Sequence, residues 1–178
     1  MATPTNLPAA QTTGNVLTSA YVNDLRGAFR VLQTVSTTVT AITASTSSAT
    51  FVDTTGLSVS ITPQSVDSKI FVMVTMNVGA SSADDTFYNL VRNSTNISQG
   101  VGGTNNATMT WRFADGSGTN ENFRIASLST NFLDSPASTS ATTYKMQWRT
   151  RVGTIYLNRR SDTNVGVTST ITVMEISA

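Results

Sequence analysis

From residue 57 onward apolar and polar side chains change places at every second position, and this period of two limits what the chain can fold into. Leu57, Val59 and Ile61 alternate with Ser58, Ser60 and Thr62 until Pro63 stops the run. Ile70, Val72, Val74, Met76 and Val78 then share one side, while the other side begins with Phe71 and Met73 and ends with Thr75 and Asn77. Tyr144, Met146, Trp148 and Thr150 alternate with Lys145, Gln147, Arg149 and Arg151, and residues 169–176 alternate again. Successive side chains of a strand point to opposite faces, so each run reads as a β-strand with one face toward a core. Residues 87–92, 109–113, 122–128 and 155–158 are shorter candidates. Gly, Asn, Asp and Ser separate the runs and no helical period interrupts them. The fold class predicted is an all-β antiparallel sandwich, with a jelly roll as the topology.

Before residue 45 the pattern differs. The first fifteen residues, with Pro4, Pro8, Gly14 and Asn15, have neither period and read as extended. Val22, Leu25, Phe29 and Leu32 follow a 3-4-3 spacing, which predicts a helix near residues 18–33 with those four side chains along one stripe. Thr18 or Ser19 can cap it, and Gly27 costs it about 1 kcal/mol relative to Ala. A helix of this length is marginal alone, so the stripe needs a partner surface. A heptad continuing through Val39 and Ile42 meets Ser36 on its seam, among β-branched Thr residues that weaken a helix. Residues 43–50 are nearly all Ser, Thr and Ala and read as a linker or the approach to a strand. These features predict an N-terminal attachment arm, with one short helix, over residues 1–45 and a sandwich over 46–178. Val22, Leu25, Phe29 and Leu32 are its candidate attachment residues.

Composition narrows the function. The 178 residues include no His and no Cys, which removes the usual general base near neutral pH, thiol nucleophiles, disulfides and the commonest zinc ligands. Of the two lysines, Lys69 and Lys145, neither sits in a cofactor motif. The expectation is a non-enzymatic protein without cofactor or metal. A formal net charge of +1 gives no broad footprint for nucleic acid. No apolar run reaches the roughly 18 residues of a membrane span, and the first residues lack the basic start and apolar centre of a signal peptide.

Three segments carry a resemblance. Gly14-Asn15-Val16-Leu17-Thr18-Ser19-Ala20-Tyr21-Val22-Asn23-Asp24-Leu25-Arg26 resembles the "G-x-V-L-T-A-x-x-x-N-x-L-R" segment that precedes a short helix in tail-fibre and other virion proteins of tailed bacteriophages. Ser45-Thr46-Ser47, Val52-Asp53-Thr54-Thr55-Gly56-Leu57-Ser58-Val59-Ser60-Ile61-Thr62-Pro63 and Ser68-Lys69-Ile70-Phe71-Val72-Met73-Val74 are similar to the opening strands of phage jelly-roll modules. Thr170-Ile171-Thr172-Val173-Met174-Glu175-Ile176 is similar to their last strand. Ser19 stands where that family usually has Ala, and Thr55 is an extra residue before Gly56. Residues 80–140 are unmatched. The resemblance implies a tumour-necrosis-factor-like jelly roll and hence a homotrimer. It implies a virion component assembled in the host cytoplasm: a short tail fibre or fibre-like appendage, or alternatively a capsid decoration protein. Its partners would be tail, baseplate or capsid proteins, with a host surface glycan as a further candidate; a carbohydrate-binding module is the more distant alternative.

Other residues could carry chemistry, each beside a structural reading. The acidic and polar residues of 115–121 are spaced like calcium ligands, and equally like a Gly-rich hairpin connection. Asp84 and Asp85 could hold a cation, or simply belong to a polar loop. Arg149, Arg151, Arg159 and Arg160 could take an anionic glycan or phosphate, or form ion pairs. Trp111, Tyr144, Trp148 and Tyr156 could stack on sugars, although strand spacing favours the core, for Trp148 above all. Gly100, Gly102 and Gly103 lack the Lys and the strand–helix context of a phosphate cradle.

Overall fold

The computed structural model describes Thr18, Ser19, Val22 and residues 31–82, 85–101, 109–113 and 124–177. Two antiparallel sheets pack face to face, as the alternation predicts. The first contains β1 (Val31–Val39), β2 (Ser45–Thr46), β4 (Lys69–Ala80), β8 (Ala126–Asp134), β10 (Ile155–Leu157) and β11 (Ser169–Ile176). The second contains β3 (Val52–Ile61), β5 (Thr86–Arg92), β6 (Thr95–Ile97), β7 (Trp111–Phe113) and β9 (Thr142–Thr150). The long strands β3, β4, β5, β8, β9 and β11 fall alternately in the second and first sheets, a jelly-roll-like course.

β4 is the spine of the first sheet. One side pairs with β8 from Ile70 to Val78, and the other pairs with β11 and then β10. Ile70, Val72, Val74, Met76 and Val78 point inward and are buried with Leu57, Val59, Tyr88, Leu90, Tyr144, Met146 and Trp148. Each such large side chain contributes about 1.5–3 kcal/mol on burial. β3 carries a bulge between Asp53 and Ser58, where Gly56 has φ +80°. The five steps from Asp53 to Ser58 face only two on β9, from Gln147 to Lys145, so β3 accommodates three extra residues there, and Thr55 lies within that stretch.

The N-terminal expectation needs correction. The amide of Val22 donates to the Thr18 carbonyl (3.1 Å), and Ser19 and Val22 are helical. The helix does not reach Gln33, however, because β1 begins at Val31 and pairs with β11. Nor is there a heptad through Val39 or a domain boundary near 45: Val39 is in the core, and Ser45 and Thr46 pair with β10. The physical reason is β-branching. Val35, Thr37 and Val39 suit a pleated strand, and β11 offers a ladder for their backbone groups. β8 was expected to begin near 122 but runs Ala126–Asp134; residues 122 and 123 lie outside the described set.

Polar anchors close the sandwich. Arg92 of β5 donates to both oxygens of Asp134 on β8 (2.8 and 2.9 Å), and the Tyr144 hydroxyl of β9 donates to Asp134 Oδ2 (2.7 Å), which joins the two sheets. Glu175, fully buried, accepts from Gln33 Nε2 (2.6 Å) and the Gln64 amide (2.7 Å), so it binds β11 to β1 and to the β3–β4 connection. Asn158, in the left-handed region at φ 62°, donates through Nδ2 to Val39 O (2.6 Å) and accepts from Ser169 Oγ (2.5 Å). Gly79 is needed for another reason: a Cβ there would run into the Arg159 carbonyl oxygen.

Candidate functional site

Among the described residues the core-facing side of each sheet is filled, and the two outer faces differ in chemistry. On the first sheet the register aligns Leu133, Phe71 and Met174 in one row and Asn131, Met73 and Thr172 in the next. Ile176 and Val31, paired with each other, extend the apolar end. Leu133 and Val31 are 54% and 51% exposed, and Phe71, Met73, Met174 and Ile176 are half-buried. Toward the opposite end the face turns to hydroxyls, with Ser36 Oγ 2.8 Å from Thr172 Oγ1 and Thr38 Oγ1 3.3 Å from Thr170 Oγ1. Lys69 pairs with Ile176 at the edge of this patch and donates to Ser135, and no other acid or base sits in these rows, so the apolar end is suited to burial against another apolar surface.

The outer face of the second sheet has the opposite chemistry. Arg149 of β9 lies across from Phe87 of β5, and its guanidinium carbon is 3.8 Å from the centre of that ring. The Phe51 ring is 5.2 Å away. Phe87 is opposite Arg112 on β7, which pairs with Asp85 (2.5 Å). Further along, Asp53 accepts from Lys145 Nζ (2.7 Å) and Gln147 Nε2 (2.8 Å). These two hydrogen bonds, the lysine's first, hold the Asp53 carboxyl below the usual aspartate range. Gln99 donates to Asn89, and β5 is buried on both faces.

Of the four attachment candidates, Val22 is half-buried in its helical turn and Leu32 is half-buried within β1. Leu25 and Phe29 lie outside the described residues. Since Leu32 is in a strand, one helical stripe does not pass through all four. Residues 115–121, Asp84, Gly102 and Gly103 also lie outside the described set, while Asp85 serves Arg112. Among the described residues no group of three His, Cys, Asp or Glu could hold a metal, and no helix is long and apolar enough to cross a membrane.

Trp148 is in the core, 1% exposed. Tyr144 is equally buried, and burial, reinforced by the Asp134 carboxylate, raises its phenol well above the usual tyrosine range. Arg159 lies 3.9 Å over the Tyr156 ring and donates to the carbonyls of Ile42, Arg160 and Ser161. Arg160 grips Asp162 through two bonds. These two arginines organise their own loop, so of the four arginines read as an anion site they drop out. The Arg149 stack was missed because Phe51 precedes β3, outside any alternation; only the register brings it to Arg149. No protein-family model matches the chain, and a search of curated proteins finds no match.

Proposed function

We propose that this protein is a non-enzymatic structural component of a bacteriophage particle, a homotrimer that meets the particle through the segment preceding Val31. The observation that carries this reading is the apolar end of the first sheet's outer face, formed by Phe71, Met73, Met174 and Leu133 beside the point where the chain enters β1 at Val31. A partly exposed apolar patch with only Lys69 at its edge is suited to a second copy of the same chain, which presents the same chemistry in return. The phage-like segment Gly14–Arg26 lies just upstream, and the absence of His and Cys from the sequence leaves little catalytic chemistry.

A short tail fibre or tail appendage is the preferred assignment, and a capsid decoration protein would use the same surface. Locating the protein in an electron-microscopy map of intact particles tests both: density at the tail supports the first, density on the head supports the second, and absence from the particle rejects the proposal. A chain starting at Val31 should keep its circular dichroism and melting transition but fail to incorporate. Normal incorporation would remove the upstream segment as the attachment device.

A further inference from the structure

The described cations of this protein have partners, with one exception. Arg92 has Asp134, Arg112 has Asp85, Lys145 has Asp53, Arg160 has Asp162 and Lys69 has Ser135. Arg159 is surrounded by carbonyls, and Arg124 and Arg151 also have partners. Arg149 alone among the described residues contacts only aromatic rings, Phe87 at 3.8 Å and Phe51 at 5.2 Å. It is half-buried on the outer face of the second sheet, beside the half-buried Phe51. A guanidinium held near aromatic rings makes no hydrogen bond to them, so its N–H groups are what still need acceptors. The stack also restrains a long side chain, which lowers the entropy lost when it grips a ligand.

We propose that Arg149, held by Phe87 and Phe51, anchors a binding site for an acidic saccharide. The guanidinium edge takes a carboxylate or phosphate group of the sugar in a bidentate hydrogen bond. Phe51 supplies apolar surface for the C–H face of the sugar ring, and Gln147, two residues along the same strand face with its Nε2 on Asp53, lies at the rim. A saccharide fits better than an acidic peptide because the surroundings are ring and amide surface, with the neighbouring cations Arg112 and Lys145 already neutralised by Asp85 and Asp53. With those two pairs closed, Arg149 offers a single cationic contact, which suits one anionic group on an otherwise neutral ring better than a run of carboxylates that needs several cations. The site is separate from the assembly face, so the inference stands or falls independently of the virion reading.

The test uses the full chain and biolayer interferometry against immobilised hyaluronate, phosphomannan, neutral dextran and poly-glutamate. Binding is expected to hyaluronate or phosphomannan, whichever carries the preferred group, with dextran and poly-glutamate at least about tenfold weaker. Arg149→Gln and Arg149→Lys should each weaken that binding about tenfold or more, because lysine keeps the charge and loses the planar fork. Phe51→Ala should weaken it several-fold, with unchanged circular dichroism in all three variants. The proposal is overturned if neither acidic polysaccharide binds, if dextran or poly-glutamate binds equally well, or if Arg149→Lys binds as the parent does.

Discussion

The outer faces of the two sheets are built from the same alternating strands and end with opposite surfaces. On the first sheet, Phe71, Met73 and Met174 face out among serines and threonines, and no ion pair crosses those rows. On the second, Asp53–Lys145 and Arg112–Asp85 neutralise each other, and Arg149 lies on a ring. Charge costs little to leave in water and much to bury unpaired, so the second face tolerates permanent exposure. The first exposes side chains whose burial is favourable whenever another apolar surface arrives. One face is suited to assembly, the other to reversible contact with solutes.

The sharpest way to break this contrast is to make the faces alike. Phe71→Asp together with Met174→Asp should convert the proposed trimer into a folded monomer by multi-angle light scattering, while Arg149→Gln leaves the mass unchanged. A parent protein that is already monomeric at micromolar concentration would end the assembly reading. The next effect concerns what holds the two faces together. Asp134→Ala strips Arg92 and Tyr144 of their shared acceptor. It should lower unfolding free energy by about 3 kcal/mol, the low end for buried pairs because Arg92 keeps a quarter of its side chain exposed. Urea melts followed by tryptophan fluorescence would measure it.

Alkali should loosen the same junction. Burial, and for Tyr144 also Asp134, raises the folded-state values of Tyr88 and Tyr144 above the usual tyrosine value of 10.0. The native state therefore holds protons that the unfolded chain releases. The associated stability is intact below pH 10 and declines as pH rises further. Melting temperatures between pH 8 and 12 should fall above 10, and less steeply in Tyr144→Phe. The smallest effect belongs to the exposed ion pair. Asp53 is lowered from 3.8, so its contribution is present above that pH and lost on further acidification. With 55% of its side chain exposed, solvent screens the pair, and Asp53→Asn should shift stability by less than about 1 kcal/mol.

The sequence revealed the sandwich because Ile70–Val78, Tyr144–Thr150 and Ser169–Ile176 each bury one face against water, and burial writes itself as alternation. It concealed β1 for a physical reason. Val35, Thr37 and Val39 occupy alternate positions on the core side, but two of those positions are only half-buried and threonine is neither clearly apolar nor polar. A 3-4-3 spacing upstream then drew Leu32 into a helix. β6 was hidden in the same way, with Ile97 alone marking its inward side. As for the outer faces, sequence flagged the two-sided apolar strand at Phe71 and Met73, because both faces of a strand can be read directly. The partners that complete each face, Leu133 and Met174 on one and Phe51 on the other, come from register between distant segments, which no local pattern encodes.

β1 also sets a timetable. Its ladder partner is β11, and hydroxyls that meet across that ladder are 132 residues apart in sequence. At about 5–20 residues per second a ribosome takes on the order of ten seconds to make that span. Throughout that interval Val31–Val39 has no neighbouring strand to join, while β4 and β8 can already meet. Closure of the first sheet is therefore a late event whose rate depends on bringing remote segments together. During synthesis a segment left open to pairing with the wrong chain is the one that leads directly from the proposed attachment region.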